Sequence, residues 1–361
     1  MKVAVLTLRL HTNYGGILQA YALCRTLDHL GYEAVLLDYQ PNVYDSFRGK
    51  CHVFLKNMLR TLKGEPKKKY PTNKELHAGM ENILPFIDRY FDCSKPLTTT
   101  EELRNYLSEY EFEACIVGSD QVWRPFYAPQ IENFFLDFCP DELIKVAYAA
   151  SFGTDEWEFS SRQTKKCRTL LKKFTAVSVR EFSAVAMCDK YLDVKAVRMP
   201  DPTTLLDIKE YALLCEKVET ESGVFAYIMD DSERGGMIAE KIGMSLGKKV
   251  HCLRKIDGQA APVEEWLKNI MSADFVVTDS FHACVFAILF NRPFVCLGNK
   301  ERGQSRFVSL LGEFGLQDRL LSAGDEFRAE LLTAGIDWDT INDILDNECG
   351  RALDFLDASL Q

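Results

Sequence analysis

The chain has 361 residues, 47% of them hydrophobic and 27% charged, with a formal net charge of −10. That is the profile of an ordinary soluble globular protein long enough for two domains. The acidic balance argues against a general nucleic-acid binder, because no broad positive surface is available to neutralise phosphates. The longest unbroken apolar run, the eight residues Ala283–Phe290, is too short to cross a bilayer.

In chain order, Lys2–Thr7 reads as a first strand, His11–Gly16 as a turn and Ile17–Leu30 as a helix that Gly31 ends. Arg9 and His11 sit inside what would have to be a signal-peptide core, so a cytoplasmic protein is expected. Ala34–Leu37 is the second strand. An irregular, partly helical insert follows from about residue 45 to 107. Strands at Ala114–Val117, Lys145–Ala149, Ala176–Val179 and Lys195–Arg198 then alternate with helices at Ser160–Lys172 and Glu181–Asp189. Asp201-Pro202 breaks the pattern, and the polar stretch up to Gly223 reads as a hinge.

A second alternating block begins with strand Val224–Met229, helix Arg234–Leu246, strand Lys249–Leu253 and helix Pro262–Met271. Its next unit is Asp274-Phe-Val-Val-Thr278 as strand, an apolar helix from Ser280, a stop at Asn291-Arg292-Pro293 and a strand at Phe294-Val295. Helices are expected from Ser305 onward. The alternation predicts an α/β protein of two Rossmann-like domains with an interdomain cleft. The expected division is 1–205, 222–345 and a C-terminal helix over 346–361. The twelve cysteines contain no C-x-x-C pair and read as reduced thiols, and none of the six histidines forms a ligand-spaced pair, so no metal is expected.

The residues with chemistry cluster at strand carboxyl ends, where open α/β sheets bind ligands. Asn13-Tyr14-Gly15-Gly16 joins strand one to helix one, where paired glycines let a backbone approach a ligand or simply make a turn. It is not G-x-G-x-x-G, so a dinucleotide fingerprint is absent. Gly118-Ser119-Asp120 follows a strand and reads equally as an Asx-turn or a ligand contact. Arg180 ends another strand, either as an ion pair or as a carboxylate or phosphate clamp. His282 is the sharpest candidate. In the first turn of a helix it would be neutral when the site is empty and would turn cationic as a phosphate arrives, ready to deliver a proton. Asn299-Lys300-Glu301-Arg302 follows the neighbouring strand and can bring cations to the same spot.

Six ordered motifs resemble the polysaccharide pyruvyl transferase family: NYGGILQAYAL (13–23), VGSDQVW (117–123), YAASFG (148–153), SVRE (178–181), DPTTLL (201–206) and ADFVVTDSFHACVFAILFNRPF (273–294). The resemblance implies a fold similar to two-domain GT-B glycosyltransferases. It also implies transfer of a pyruvyl group from phosphoenolpyruvate to a sugar of a cell-surface polysaccharide or its precursor, forming a ketal and releasing phosphate. By motif, Arg180 and His282 are the expected catalytic residues. Lys300, Ser280, Asn13, Gly15, Gly16, Ser119 and Asp120 are the expected substrate contacts. The expected partners are phosphoenolpyruvate and a nucleotide- or lipid-linked sugar acceptor, with no further cofactor.

Two other readings stand beside this one: a GT-B-type glycosyltransferase using a nucleotide sugar, and a non-catalytic glycan-assembly protein. In the insert, Cys51, Phe54, Leu55, Met58, Leu59 and Leu62 recur at helical spacing, with Lys67-Lys68-Lys69 close behind. This predicts either a helix packed on the N-terminal domain or a weak, salt-sensitive peripheral contact with the inner membrane face.

Overall fold

The computed structural model describes residues 1–41, 54, 57–58, 60–61, 73–128, 130–230, 232–298, 304–322, 324–325 and 327–361. Of the insert's apolar stripe, Phe54 and Met58 are described and both are exposed; Cys51, Leu55, Leu59 and Leu62, the lysine run and Lys300 lie outside the described residues.

The N-terminal sheet is entirely parallel, with strand order β2-β1-β3-β4-β5-β6. Its strands are β1 (Lys2–Leu6), β2 (Glu33–Leu36), β3 (Ala114–Val117), β4 (Ile144–Ala150), β5 (Ala176–Val179) and β6 (Val197–Arg198). The inner strands are apolar on both faces because helices cover both sides, which is why they read as continuous hydrophobic runs rather than alternating ones. Helix α1 (Tyr14–His29) follows β1. In the described part of the insert, α2 (Asn73–Ala78), α3 (Leu84–Tyr90) and α4 (Thr100–Glu109) are helical. A reciprocal capping box between Thr99 and Glu102 starts α4. Helices α5 (Ser161–Leu171) and α6 (Phe182–Met187) flank β5, and α7 (Ile208–Leu214) lies in the connection to the second sheet.

The second sheet is also parallel, with order β11-β10-β9-β7-β8. It is built from β7 (Val224–Tyr227), β8 (Val250–Cys252), β9 (Phe275–Thr278), β10 (Phe294–Leu297) and β11 (Leu320–Leu321). Its helices are α8 (Ser232–Leu246), α9 (Val263–Ser272), α10 (Phe281–Leu289), α11 (Ser305–Glu313) and the short α12 (Glu330–Thr333). The helix-only ending expected after Ser305 is corrected by β11, whose two residues are too few to show a period of two. The last helix, α13, runs unbroken from Trp338 to Leu360, so the boundary expected at 345/346 falls inside it.

Helices α1 and α13 tie the domains together. Tyr14, Ile17, Leu18 and Tyr21 of α1 share one buried core with Phe225, Trp266 and Phe286 of the second domain. The Tyr14 ring stacks on Trp266 with centroids 5.6 Å apart, and its hydroxyl donates to the Ala261 carbonyl at 3.0 Å. Near its start α13 packs Ile341 and Leu345 into that core, and near its end it packs Ala352, Leu356 and Leu360 against β1, β3 and β4. No described helix is long and apolar enough to cross a membrane.

Candidate functional site

Helices α1 and α10 converge with their N-termini together. Gly15 makes that approach possible: a Cβ there would stand 2.2 Å from His282 Nδ1. Asn13 is the N-cap of α1 but makes no side-chain capping bond, and a Cβ on Gly16 would meet its Nδ2 at 2.9 Å. Ser280 caps α10, its hydroxyl accepting from the Ala283 amide at 3.4 Å. Two helix ends aimed at one spot carry partial positive charge, and that favours an anion there.

Between them lies a buried polar chain. Arg180, carried past the end of β5, places Nη1 2.6 Å from Asp201 Oδ2 and Nη2 3.4 Å from Asp120 Oδ1. Asp201 begins a 3₁₀ turn at Pro202, and its Oδ1 accepts from the Thr203 amide and hydroxyl at 3.1 and 2.8 Å. Its other oxygen reaches across the domains to His282 Nε2 at 3.4 Å, an ion-pair contact without hydrogen-bond alignment. Arg306, buried at the start of α11, lies 5.3 Å from the Phe281 ring, which also carries the Arg180 guanidinium at 4.4 Å.

The charges are mutually held. Burial alone would raise the Asp201 carboxyl, but His282 and then Arg180 outweigh it and hold it below the ordinary carboxylate range. Asp120 behaves alike: burial opposes, while Arg180, His282 and Arg306 together pull it down. Burial works against the Arg180 cation too, yet Asp201, Asp120 and Glu181 raise its pKa. Arg306 is lowered to about 10, by burial first and then by Arg180, and so stays cationic at neutral pH.

The structure brings His282, Arg180, Asp120, Ser280, Asn13, Gly15 and Gly16 to one place. Ser119 is buried in the loop instead: its amide donates to Gln19 Oε1 and its hydroxyl to the Ala149 carbonyl, both at 2.9 Å. It shapes the turn that presents Asp120, which adopts a left-handed φ of 67°. Arg180, expected as an open clamp or an ion pair, is spent on two carboxylates and holds the acids in place. Sequence reasoning passed over Asp201 and Arg306 as site residues. Asp201-Pro202 did signal a turn start, but its link to Arg180 and His282 is made only by the fold. Arg306 carries no local signal.

Two open parallel α/β sheets, meeting at strand carboxyl ends over a buried His–Asp–Arg chain, form a two-domain Rossmann-like fold similar to the GT-B kind. The chain belongs to the polysaccharide pyruvyl transferase family, whose model matches residues 13–301. Among solved structures it is similar to Arabidopsis thaliana UGT89C1 complexed with UDP-L-rhamnose, at 10% identity and a TM-score of 0.52, covering 99% of this chain and 98% of that one. It is also similar to UDP-GlcNAc 2-epimerase from Neisseria meningitidis bound to UDP-GlcNAc, at 8% identity and a TM-score of 0.50, covering 100% and 99%. At such identities the likeness concerns the fold. No curated protein sequence matches the chain.

Proposed function

We propose that this protein transfers the pyruvyl group of phosphoenolpyruvate to two hydroxyls of one sugar in a polysaccharide or its precursor, acting in the cytoplasm without a metal or further cofactor. The observation that carries the reading is the Asp201–His282 pair set between two helix N-termini and flanked by Arg180 and Arg306. Phosphoenolpyruvate brings a phosphate and a carboxylate on a small frame, and converging cations and helix-end amides suit it. His282, held 3.4 Å from Asp201, delivers a proton to the methylene carbon. C2 becomes electrophilic and a sugar hydroxyl adds there. Phosphate leaves, and a second hydroxyl closes the ketal. Of the two hydroxyl protons, one balances the proton now on the methyl group and the other leaves with phosphate. Arg306 stabilises the developing charge, and Arg180 keeps Asp201 and Asp120 ionised and in place.

The test incubates purified protein with phosphoenolpyruvate and a panel of sugar acceptors, reading phosphate release and acceptor mass. Phosphate release matched by the mass gain of a pyruvyl ketal is expected. Release of a nucleotide from a nucleotide sugar, with phosphoenolpyruvate untouched, would transfer the protein to the glycosyltransferase reading.

A further inference from the structure

Pyruvyl transfer moves protons in two directions. One goes onto the methylene carbon, and one must leave the first acceptor hydroxyl as its oxygen bonds to C2. His282 cannot do both at once. The carboxylates beside it are poor bases, because Asp201 and Asp120 are held below the ordinary carboxylate range. Glu181 is wholly enclosed, and its Oε1 accepts from Ser151 Oγ and the Gly153 amide. The Tyr14 phenol donates to the Ala261 carbonyl, and burial pushes it up to about 12.

One imidazole remains. His11 lies partly buried in the loop between β1 and α1. With Asn13, Gly16, Gln19 and Asp120 it lines a cavity of about 20 Å³. That is room for one water-sized group, such as a hydroxyl. Gln19 is already engaged: its Nε2 donates to Thr7 Oγ1 and the Gly16 carbonyl, and its Oε1 accepts from the Ser119 amide. The His11 ring has no hydrogen-bond partner among the described residues. The cavity is tied to the reaction centre twice: Asp120 accepts from Arg180, and Gly16 follows Gly15, which rests on His282. Among the described residues, Arg9 from its own loop and Asp120 from the loop past β3 are the charges facing His11. Burial lowers the imidazole from its ordinary 6.5; Asp120 opposes and Arg9 adds. The ring is therefore neutral at pH 7 with a lone pair to offer, and Asp120 favours the imidazolium once a proton arrives.

We propose that His11 is a second catalytic residue, the base that takes the proton of the acceptor hydroxyl attacking C2, sharing Asp120 with His282. This role rests on the pyruvyl-transfer reading. His282 gives its proton to the methylene carbon, the first hydroxyl oxygen bonds to C2, and the hydroxyl proton passes to His11. The C2–O bond to phosphate then breaks, its electron pair leaving with phosphate, which takes the proton from His11. The second hydroxyl bonds to C2 and returns a proton to His282. Both histidines end as they began.

The test is His11→Gln, which keeps a polar side chain but cannot take a proton; an unchanged melting temperature checks its fold. Turnover with phosphoenolpyruvate and an acceptor should fall about 10²-fold or more while calorimetry shows unchanged phosphoenolpyruvate affinity. In the wild type kcat/KM for the acceptor should decline on the acid side with a midpoint below 6.5, and the variant should lack that decline. The proposal is overturned if the variant keeps more than about a tenth of turnover, if it keeps the acid-side decline, or if its loss is in phosphoenolpyruvate affinity, which would make His11 a donor contact. Should His11→Gln not fold, His11→Ala with imidazole in the buffer decides: a rate that rises with imidazole supports the base role, and one that does not overturns it. Phosphate release by the wild type tests the pyruvyl reading on its own. A wild type that instead transfers sugar from a nucleotide donor refutes that reading, and His11→Gln is then judged on that turnover, whose acceptor hydroxyl also loses a proton. A wild type that turns over neither donor overturns both.

Discussion

His282 and Arg180 do different work although one carboxylate joins them. His282 stands where a substrate proton would be handled, so His282→Ala should lower turnover on the order of 10²–10⁴-fold with the fold intact. A variant retaining more than about a tenth of wild-type turnover would remove the histidine from the chemistry. Arg180 holds two acids with its two terminal nitrogens. Lysine keeps the charge but has no fork, so Arg180→Lys should release either Asp120 or Asp201 and lower both turnover and phosphoenolpyruvate affinity. Calorimetry showing unchanged affinity, with stability alone reduced, would confine Arg180 to a structural ion pair.

At the level of elements, the approach of α1 to α10 depends on a missing side chain. Gly15→Ala would put a methyl carbon inside van der Waals contact with the His282 ring. The helix pair must then separate or the imidazole must turn off Asp201. Turnover should fall at least tenfold while the α-helical circular dichroism stays the same; undiminished activity would show that the ring can move without consequence. The strand–helix alternation behind this geometry was legible because buried parallel strands and their helices each carry a strong apolar signature, as in Asp274–Phe290. The reach of Asp201 to Arg180 and His282, 21 and 81 positions away, was not, since nothing local encodes it. β11 escaped notice because two residues have no period, and the unity of α13 because its apolar stripe changes partner midway, from Leu345 in one core to Ala352 in another.

For the whole molecule, the domain junction carries a titrating cluster. Arg198 of β6 pairs with Glu313 of α11 and with Glu348 of α13. Burial, with Glu348 adding and Arg198 opposing, pushes the Glu313 carboxyl up to about 7. An unfolded glutamate titrates near about 4.3. Between those values the folded chain keeps a proton that the unfolded chain has lost. This contribution to stability is therefore complete below the unfolded value and is lost as pH rises through the folded one. The melting temperature of the wild type should fall between pH 5 and 8 more steeply than that of Glu313→Gln, which cannot ionise. Parallel slopes would show that the junction does not titrate in this window. On the pyruvyl-transfer proposal phosphoenolpyruvate binds the folded chain alone, and it should then raise the melting temperature in chelator-treated protein. A nucleoside diphosphate doing so where phosphoenolpyruvate has no effect would speak for the glycosyltransferase alternative.

The path of α13 also bears on how the molecule comes into being. Ala352, Leu356 and Leu360 are fully or almost fully enclosed against Val3, Val5, Ile116 and Tyr148. A ribosome delivers the first sheet long before it delivers the helix that covers it. During synthesis the N-terminal half must wait with an apolar strip open while the second domain emerges and folds. The first domain is thus completed last, and a nascent chain stalled before Trp338 would be a substrate for chaperones rather than half an enzyme.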